Sequence, residues 1–382
     1  MTEIYLDNSA TTKPLKTVVE EMQKALEYVY ANPSSLHGMG VEAEKILRQA
    51  RDRVAKALNV SSREIFFTSG GTEANNWAII GGAFQNKGKG KHLITSEIEH
   101  ASVLAAFKKL EEEGFNVSYI PVDEEGVIKL DKLQEELTKE TILVSIMHVN
   151  NEVGSMQPIS EISKILEKYD RKPLFHVDAV QSFGKLPLSP QEMGIDLLTV
   201  SGHKIHGPKG VGALFIRKGV NIKPLLVGGE QEANLRAGTE NVPGIVGMGR
   251  AAEEAERSFA ENVEHLTKIR DTFLEKIKQI EGVHINGSPE KGAPHIVNIY
   301  FEGIEKSEVL IHILESYGVY VSSGSACHSR RPEASHVLKA MGLADKRVNG
   351  SIRISFSKLN EEKEIAEAVR IIKESVEEMR SY

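Results

Sequence analysis

The sequence predicts an α/β fold in which a mainly parallel sheet of seven strands is followed by a smaller α+β unit. Two observations support this prediction. From Ile65 to Ile216, short apolar runs alternate with amphipathic segments of helical period, a pattern typical of parallel strands joined by helices. After Pro243-Gly244 the alternation gives way to a long charged helical stretch and then to a second group of apolar runs.

Each predicted element follows from its own pattern. Apolar runs bounded by turn residues predict the strands Ile65–Phe67, His92–Thr95, Ser118–Pro121, Thr141–His148, Leu174–Val177, Leu197–Val200 and Gly212–Ile216. Amphipathic periodicity predicts the helices Thr17–Tyr30, Val41–Leu58, Glu73–Gln85, Ala101–Glu113, Leu130–Leu137 and Ile159–Tyr169.

The C-terminal part is predicted to form a second unit. The long charged stretch Ala251–Ile280 is interpreted as a helical link to this unit, and Asn360, which precedes two glutamates, is expected to cap the last helix. The smaller unit would contain the segments Gly292–Phe301, Val309–Tyr317, Val319–Val321 and Ile352–Phe356. We therefore expect a large domain of residues 15–250 and a small domain of residues 1–14 and 251–382.

Composition excludes several classes of function. The net charge of -7 and the absence of a lysine-rich block argue against nucleic acid or a membrane surface as the main ligand. The single cysteine, Cys327, rules out an intramolecular disulfide and a cysteine-rich metal site, and the 13 histidines show no metal-binding spacing. The N-terminus has no basic and apolar leader and no long apolar span occurs, so a cytoplasmic protein without a metal is expected.

A lysine follows the sixth predicted strand in a glycine-rich turn. The run Ser201-Gly202-His203-Lys204 comes directly after the apolar segment Leu197–Val200. A lysine held at a strand end in a sheltered turn is a candidate for a lowered pKa and for Schiff-base chemistry. The alternative is an ordinary surface lysine in a turn of glycine and proline.

Two further strand ends carry polar groups. Ser69-Gly70-Gly71-Thr72-Glu73 opens a helix after a strand, a geometry that presents N–H groups to an anion, although a plain turn capped by Thr72 is the alternative. Asp178 ends another strand, where a carboxylate can keep a pyridine nitrogen protonated or, alternatively, cap a helix. His100, after a third strand, could stack on a flat ring.

Together these motifs resemble the cysteine desulfurases of the NifS and IscS type, which are fold-type I pyridoxal 5'-phosphate (PLP) enzymes related to the class-V aminotransferases. The resemblance extends over nearly the whole chain and includes the stretches Tyr5–Thr12, Asn32–His37 and Gly350–Arg353. It implies the PLP-dependent conversion of L-cysteine to L-alanine. It also implies a homodimer.

The resemblance implies a role for each matching residue. Lys204 would bind PLP covalently, Asp178 would pair with the pyridine nitrogen, and His100 would stack on the ring. Arg353 would bind the substrate carboxylate, close to Asn151. The remaining cofactor contacts would come from Gln181 and Asn151 at the ring oxygen, from Gly71, Thr72, Ser201 and His203 at the phosphate, and from Thr239 of a second subunit.

Cys327 distinguishes among PLP activities. It lies in a run of serine, glycine and alanine and is followed by His328, Arg330 and Arg331, whose positive charge favours a thiolate. A buried packing cysteine is the alternative interpretation. The resemblance implies a persulfide on Cys327 that passes to an Fe–S scaffold or a tRNA-thiolation enzyme.

Three other functions stay open from the sequence. A selenocysteine lyase and a PLP aminotransferase or β-lyase share the scaffold, and a non-catalytic sulfur-relay protein would keep only the fold. Lys204, Asp178, His100 and Cys327 together argue against the last of these.

Overall fold

The computed structural model describes residues 3–323 and 334–381. Its strands, numbered in chain order, are β1 (Ile4–Tyr5), β2 (Ile65–Thr68), β3 (His92–Ser96), β4 (Asn116–Ile120), β5 (Thr141–Ser145), β6 (Leu174–Asp178), β7 (Leu197–Ser201), β8 (Gly212–Ile216), β9 (Val283–Asn286), β10 (Ile296–Phe301), β11 (Val319–Tyr320) and β12 (Ser351–Ser355).

The α-helices in the same residues are α1 (Lys16–Tyr28), α2 (Gly38–Ala57), α3 (Gly71–Asn76), α4 (Gly82–Asn86), α5 (Ala101–Glu112), α6 (Leu130–Glu136), α7 (Ile159–Leu166), α8 (Val242–Arg257), α9 (Phe259–Ile277), α10 (Ser307–Ser316), α11 (His336–Ala340), α12 (Asp345–Gly350) and α13 (Glu362–Arg380). A π-helical turn, Trp77–Gly81, joins α3 to α4. Short 3-10 turns lie at Ser62–Glu64, Gly202–Lys204 and Glu232–Asn234.

A seven-stranded sheet forms the centre of the fold, with the spatial order β2-β8-β7-β6-β5-β3-β4. Only β8 runs antiparallel to its neighbours β2 and β7, and the other pairs are parallel. Strands β5, β7 and β8 are buried at every position, as expected when helices cover both faces of a sheet. The predicted α/β fold with a mainly parallel seven-stranded sheet is confirmed.

A second, smaller sheet joins the two ends of the chain. Strands β12, β10 and β9 form an antiparallel sheet, and β1 pairs in parallel with β11. Single bridges from Asp7 to Ser355 and from Ser322 to Arg353 connect these two sets of strands. One apolar core contains residues between Val18 and Ala252, and another contains Ile4, Leu6 and residues between Leu266 and Val376.

The predicted helical stretch Ala251–Ile280 consists of two helices. It contains the end of α8 and all of α9, which are separated at Ser258. The hydroxyl of Ser258 donates to the carbonyl of Glu254 and accepts from Asn262 at 2.8 and 2.9 Å, and such side-chain bonds compete with a continuous helix.

The cap predicted for the last helix is displaced by one residue. Glu361, not Asn360, caps α13. The side-chain oxygen of Asn360 accepts from the backbone N–H of Ser357 at 2.9 Å and from Asn8 at 3.3 Å. Asn360 therefore ties the N-terminal segment to the turn before α13.

No helix within residues 3–323 and 334–381 is both long enough and apolar enough to cross a membrane.

Candidate active site

A cavity of about 320 Å³ opens at the carboxyl ends of β5, β6 and β7. Its lining combines polar and charged side chains from several loops with the N-terminus of α3. The lining residues are Ser9, Ala10, Gly71, Thr72, Asn75, His100, Ser102, Met147, Val149, Asn151, Asp178, Val180, Gln181, Ser201, His203, Lys204 and Arg353. Such a volume suits a small cofactor with its substrate.

Lys204 lies in the 3-10 turn directly after β7. Its Nζ donates to the backbone carbonyl oxygens of Ser9 and Ala10 at 2.5 and 2.7 Å. The turn is held by the carbonyl of Gly202, which accepts from the N–H groups of Ile205 and Gly207 at 3.1 and 3.0 Å. The lysine is thus a half-buried group in the cavity rather than a surface side chain.

Asp178 ends β6 and is buried. Its Oδ1 accepts from the N–H of Val180 at 3.0 Å, and its Oδ2 accepts from Asn75 at 2.7 Å. The sequence left open whether Asp178 faces a ligand or makes a local capping bond. Its Oδ1 closes a local turn, and the residue also lines the cavity, so both interpretations apply in part.

The predicted phosphate site lies where β2 leads into α3. Gly70 provides no side-chain cap for the helix that starts at Gly71, so the N–H groups of the first turn can face an anion. Gly212 allows a close approach, because a Cβ there would lie 2.7 Å from the carbonyl carbon of Gly70. The backbone of this turn therefore packs directly against β8.

Ser201 and His203 lie beside that turn. The hydroxyl oxygen of Ser201 is buried and has no hydrogen-bond partner among the described residues. Burial, followed by the positive charges of Lys204, Lys209 and Lys185, lowers the pKa of His203 to about 4. His203 is therefore a neutral imidazole at neutral pH.

His100 caps α5. Its Nδ1 accepts from the backbone N–H of Ser102 at 3.2 Å and lies 2.8 Å from the hydroxyl oxygen of Ser102. The ring is one wall of the cavity, with Lys204 and Asp178 among the other lining residues. This position is compatible with stacking on a flat ring.

Arg353 and Gln181 complete the polar lining. Arg353, on β12, is 3% exposed. Its Nη2 donates to Asp7 at 2.7 Å, and its Nη1 donates to the carbonyl of Asn151 at 3.0 Å. The Nε2 of Gln181 donates to the carbonyl of Ser9 at 3.0 Å. A buried guanidinium with a planar set of donors is suited to a carboxylate ligand.

Two predicted site residues are not in this group. Thr239 is exposed and does not line the cavity in the single chain. Cys327 lies outside the described residues, as do His328, Arg330 and Arg331. The described residues contain no cluster of three or more His, Cys, Asp or Glu side chains able to hold a metal ion.

The described residues on either side of Cys327 are anchored at the cavity. Before it, Ser322 exchanges backbone hydrogen bonds with Arg353, at 3.2 and 2.6 Å. After it, Ser335 donates to Glu152 at 2.5 Å, and the ring of His336 contacts the carbonyl of Glu99 at 3.0 Å. Glu99 and Glu152 are the immediate neighbours of His100 and Asn151.

Sequence reasoning missed several residues of the site. Ser9 and Ala10 contact Lys204 through backbone carbonyls, which no residue pattern indicates. Asn75 and Ser102 are polar residues on the buried sides of helices and carry no motif of their own. Lys185 is also buried, and burial together with the charge of Lys204 lowers its pKa to about 7.

The residues present fit PLP. The uncapped N-terminus of α3, the buried hydroxyl of Ser201 and the neutral His203 suit a phosphate group. On the opposite side, the carboxylate of Asp178 suits a protonated pyridine nitrogen, and Lys204 suits an aldehyde. The buried Oε1 of Gln181, which has no partner in the described part of the chain, offers a further polar contact.

Comparison with known proteins gives one consistent family. The model of the class-V aminotransferases matches residues 4–367. The cysteine desulfurase IscS of Dictyoglomus turgidum is 46% identical over 380 residues, which cover 99% of this chain and 96% of that protein. The cysteine desulfurase IscS of Methanosarcina thermophila is 46% identical over 378 residues, covering 99% and 93% respectively.

Solved structures agree with the sequence relatives. A NifS-like protein superposes with a TM-score of 0.92 at 43% identity, covering 98% of this chain and 99% of that one. SspA in complex with cysteine superposes with a TM-score of 0.83 at 37% identity, covering 93% and 99%. The similarity thus extends over nearly the whole chain.

Proposed function

Because this chain belongs to the class-V aminotransferase family and is a PLP-dependent cysteine desulfurase, we propose that it transfers the sulfur of L-cysteine to Cys327 as a persulfide. The observation that carries this proposal is the anchoring of both flanks of Cys327 at the cavity, through Ser322 beside Arg353 and through Ser335 on Glu152. The described residues on both sides of Cys327 therefore lie next to the residues proposed to bind the substrate.

We assign the binding of substrate to the polar wall of the cavity. Arg353 would hold the substrate carboxylate, with Asn151 beside it. The contact between Arg353 and Asp7 keeps the guanidinium in place before substrate arrives. The phosphate of the cofactor would lie on Gly71, Thr72, Ser201 and His203, and its ring between Asp178 and His100, with Gln181 and Asn151 at the ring oxygen.

We assign proton transfer to Lys204. Bound PLP supplies an aldehyde that joins the substrate amine and a pyridine ring that takes up the electron pair released at Cα. Lys204 Nζ would take the Cα proton, and Asp178 would keep the pyridine nitrogen protonated. The two carbonyl oxygens at Ser9 and Ala10 hold Lys204 Nζ inside the cavity.

Sulfur transfer would then use the thiolate of Cys327. The thiolate attacks the substrate sulfur, an S–S bond forms, and the C–S bond breaks with its electron pair left on carbon. That carbon takes up a proton, the proton held by Lys204 returns to Cα, and the product leaves as alanine, so one cysteine yields one alanine and one persulfide. The persulfide is a reversible cap that a second thiol can remove.

The test compares alanine release from L-cysteine by wild type and by Cys327→Ala, with PLP content measured by absorbance in both. Ser322→Ala is the matched control, because it removes a hydroxyl from the same segment without removing the thiol. We expect alanine from wild type and from the control, and none from Cys327→Ala despite bound PLP. Equal alanine from all three proteins would exclude Cys327 as the nucleophile.

We also propose that the active form is a homodimer in which Thr239 of one chain reaches the phosphate site of the other. Its exposure outside the cavity of its own chain supports this assignment. Exposed apolar side chains on and near α1, among them Val19, Leu26 and Tyr28, provide a surface for a second copy. Light scattering should give twice the chain mass, and a monomer with full activity would exclude the assignment.

The proposed acceptor of the sulfur is a cysteine thiolate of an Fe–S scaffold or of a tRNA-thiolation enzyme. Arginines next to Cys327 support an anionic acceptor group. To separate the two candidates, the protein is loaded with labelled cysteine and incubated with each class of acceptor, and the label transferred to the acceptor is measured.

Two further proposals concern the setting and the domains of the protein. The single cysteine supports a reducing, cytoplasmic setting. The two apolar cores support the division into a large and a small domain.

A further inference from the structure

A chain of hydrogen bonds connects Asp178 to His100 through two residues that the proposed function does not use. Asn75 Nδ2 lies 2.7 Å from Asp178 Oδ2 and 2.9 Å from the hydroxyl oxygen of Ser102. That hydroxyl oxygen lies 2.8 Å from His100 Nδ1. Asn75 is 1% and Ser102 8% exposed, so water does not compete for these contacts.

The direction of each bond follows from the chemistry of the groups. The amide nitrogen of Asn75 has two hydrogens and gives one to the carboxylate and one to Ser102. Because the oxygen of Ser102 already accepts this bond, its own hydrogen is available to His100 Nδ1. The network therefore runs from Asn75 outwards in both directions.

A second donor reaches the same ring nitrogen. The backbone N–H of Ser102 donates to His100 Nδ1 at 3.2 Å as the cap of α5. A backbone N–H cannot accept a hydrogen bond, so Nδ1 must be the acceptor whatever the hydroxyl does. A ring nitrogen that accepts from two donors carries no proton.

We propose that Asn75 and Ser102 are positioning residues that fix His100 as the neutral imidazole with its proton on Nε2. His100 then acts on the substrate as a hydrogen-bond donor through Nε2 and not as a base. The proposal rests on the place of His100 in the proposed function. It assigns proton removal from the substrate to Lys204 alone.

This tautomer has a direct chemical consequence. A donor at Nε2 stabilises negative charge on an oxygen or sulfur of the ligand, and it does so without a change in protonation. Taking a proton at Nε2 is not possible while it carries one, and moving that proton to Nδ1 would break the bond from the backbone N–H of Ser102 and reverse the bond with its hydroxyl. The N-terminal cap of α5 and the orientation of the imidazole are therefore set by the same contact.

The first test is the ¹⁵N NMR spectrum of histidine-labelled holoenzyme at neutral pH without substrate, with His100→Gln used to assign the ring signals. We expect the protonated shift at Nε2 and the unprotonated shift at Nδ1. A proton on Nδ1, or a doubly protonated ring, would overturn the proposal. This readout needs no turnover, so its result is separate from the role of Cys327.

The second test compares Ser102→Ala with Ser102→Thr. Loss of the hydroxyl bond should lower kcat about fivefold, the effect of one hydrogen bond, with PLP content and KM unchanged. Threonine keeps the hydroxyl and should restore kcat and the wild-type ring spectrum. If Ser102→Ala keeps wild-type kcat and wild-type ring shifts, Ser102 has no positioning role.

Discussion

Replacing Lys185 with methionine is expected to stabilise the protein, most strongly at neutral pH and below. The Nζ of Lys185 is buried and has no hydrogen-bond partner in the described part of the chain. Burial, followed by the charge of Lys204, lowers the pKa of this amine from 10.5 to about 7. Methionine fills a similar volume and brings no charge into the site.

The size of the effect follows from the pKa difference between the folded and unfolded states. Below pH 7 both states bind the proton, and the buried charge costs the folded state about 5 kcal/mol. Between pH 7 and 10.5 only the unfolded state binds it, so the destabilising contribution of Lys185 shrinks as the pH rises. At pH 9 the remaining cost is about 2 kcal/mol.

The assay is urea unfolding of both proteins in their PLP-free forms, in which Lys204 still carries its charge, at pH 7 and pH 9. We expect Lys185→Met to be more stable than wild type by about 5 kcal/mol at pH 7 and by about 2 kcal/mol at pH 9. Lys209→Met, at an exposed position, should change the stability little at either pH. A destabilised Lys185→Met variant, or a difference that is the same at both pH values, would refute the reasoning.

Three further predictions concern the site. Lys204→Ala should lose turnover and bind PLP only non-covalently. Borohydride reduction should therefore add the cofactor mass to the wild-type chain but not to the variant. A variant that gains this mass would contradict the assignment of Lys204 as the residue that binds PLP covalently. Burial raises the pKa of Glu99 to about 8, so the contribution of Glu99 to stability should fall by about 3 kcal/mol between pH 6 and 8.5, where the unfolded state has already released the proton that the folded state still binds. Glu99→Gln should remove that loss in urea unfolding, and an unchanged pH dependence would show that Glu99 titrates normally. Gly212→Ala should weaken PLP binding about tenfold or more in an absorbance titration, because its Cβ would meet the backbone of Gly70 at 2.7 Å. The control is Gly88→Ala, whose Cβ would have no atom within 4 Å and which should bind PLP as wild type does.

The sequence was sufficient for the sheet and for most of the cavity because both depend on local patterns. Apolar runs mark the strands, and glycine, acid and lysine positions directly after them mark the edge where ligands bind in an α/β fold. Lys204, Asp178 and Gly71 follow strands along the chain, and the structure brings them to one cavity.

The remaining features depend on contacts that no local pattern contains. Asn75 and Ser102 look like ordinary helix residues until the packing of α3 against α5 brings their side chains within 2.9 Å. Lys185 resembles any surface lysine in the sequence, and only tertiary burial removes it from water. The break at Ser258 arises from side-chain bonds that compete with the helix.

The N-terminal segment has a consequence for the order in which the protein becomes active during synthesis. The carbonyls of Ser9 and Ala10 accept from Lys204, while Asn8 donates to Ser355, 347 positions away in the chain. A ribosome must therefore release nearly the whole chain before the first residues find their final partners. Arg353, proposed to bind the substrate carboxylate, is also synthesised late, so the large sheet can fold before the substrate site is complete.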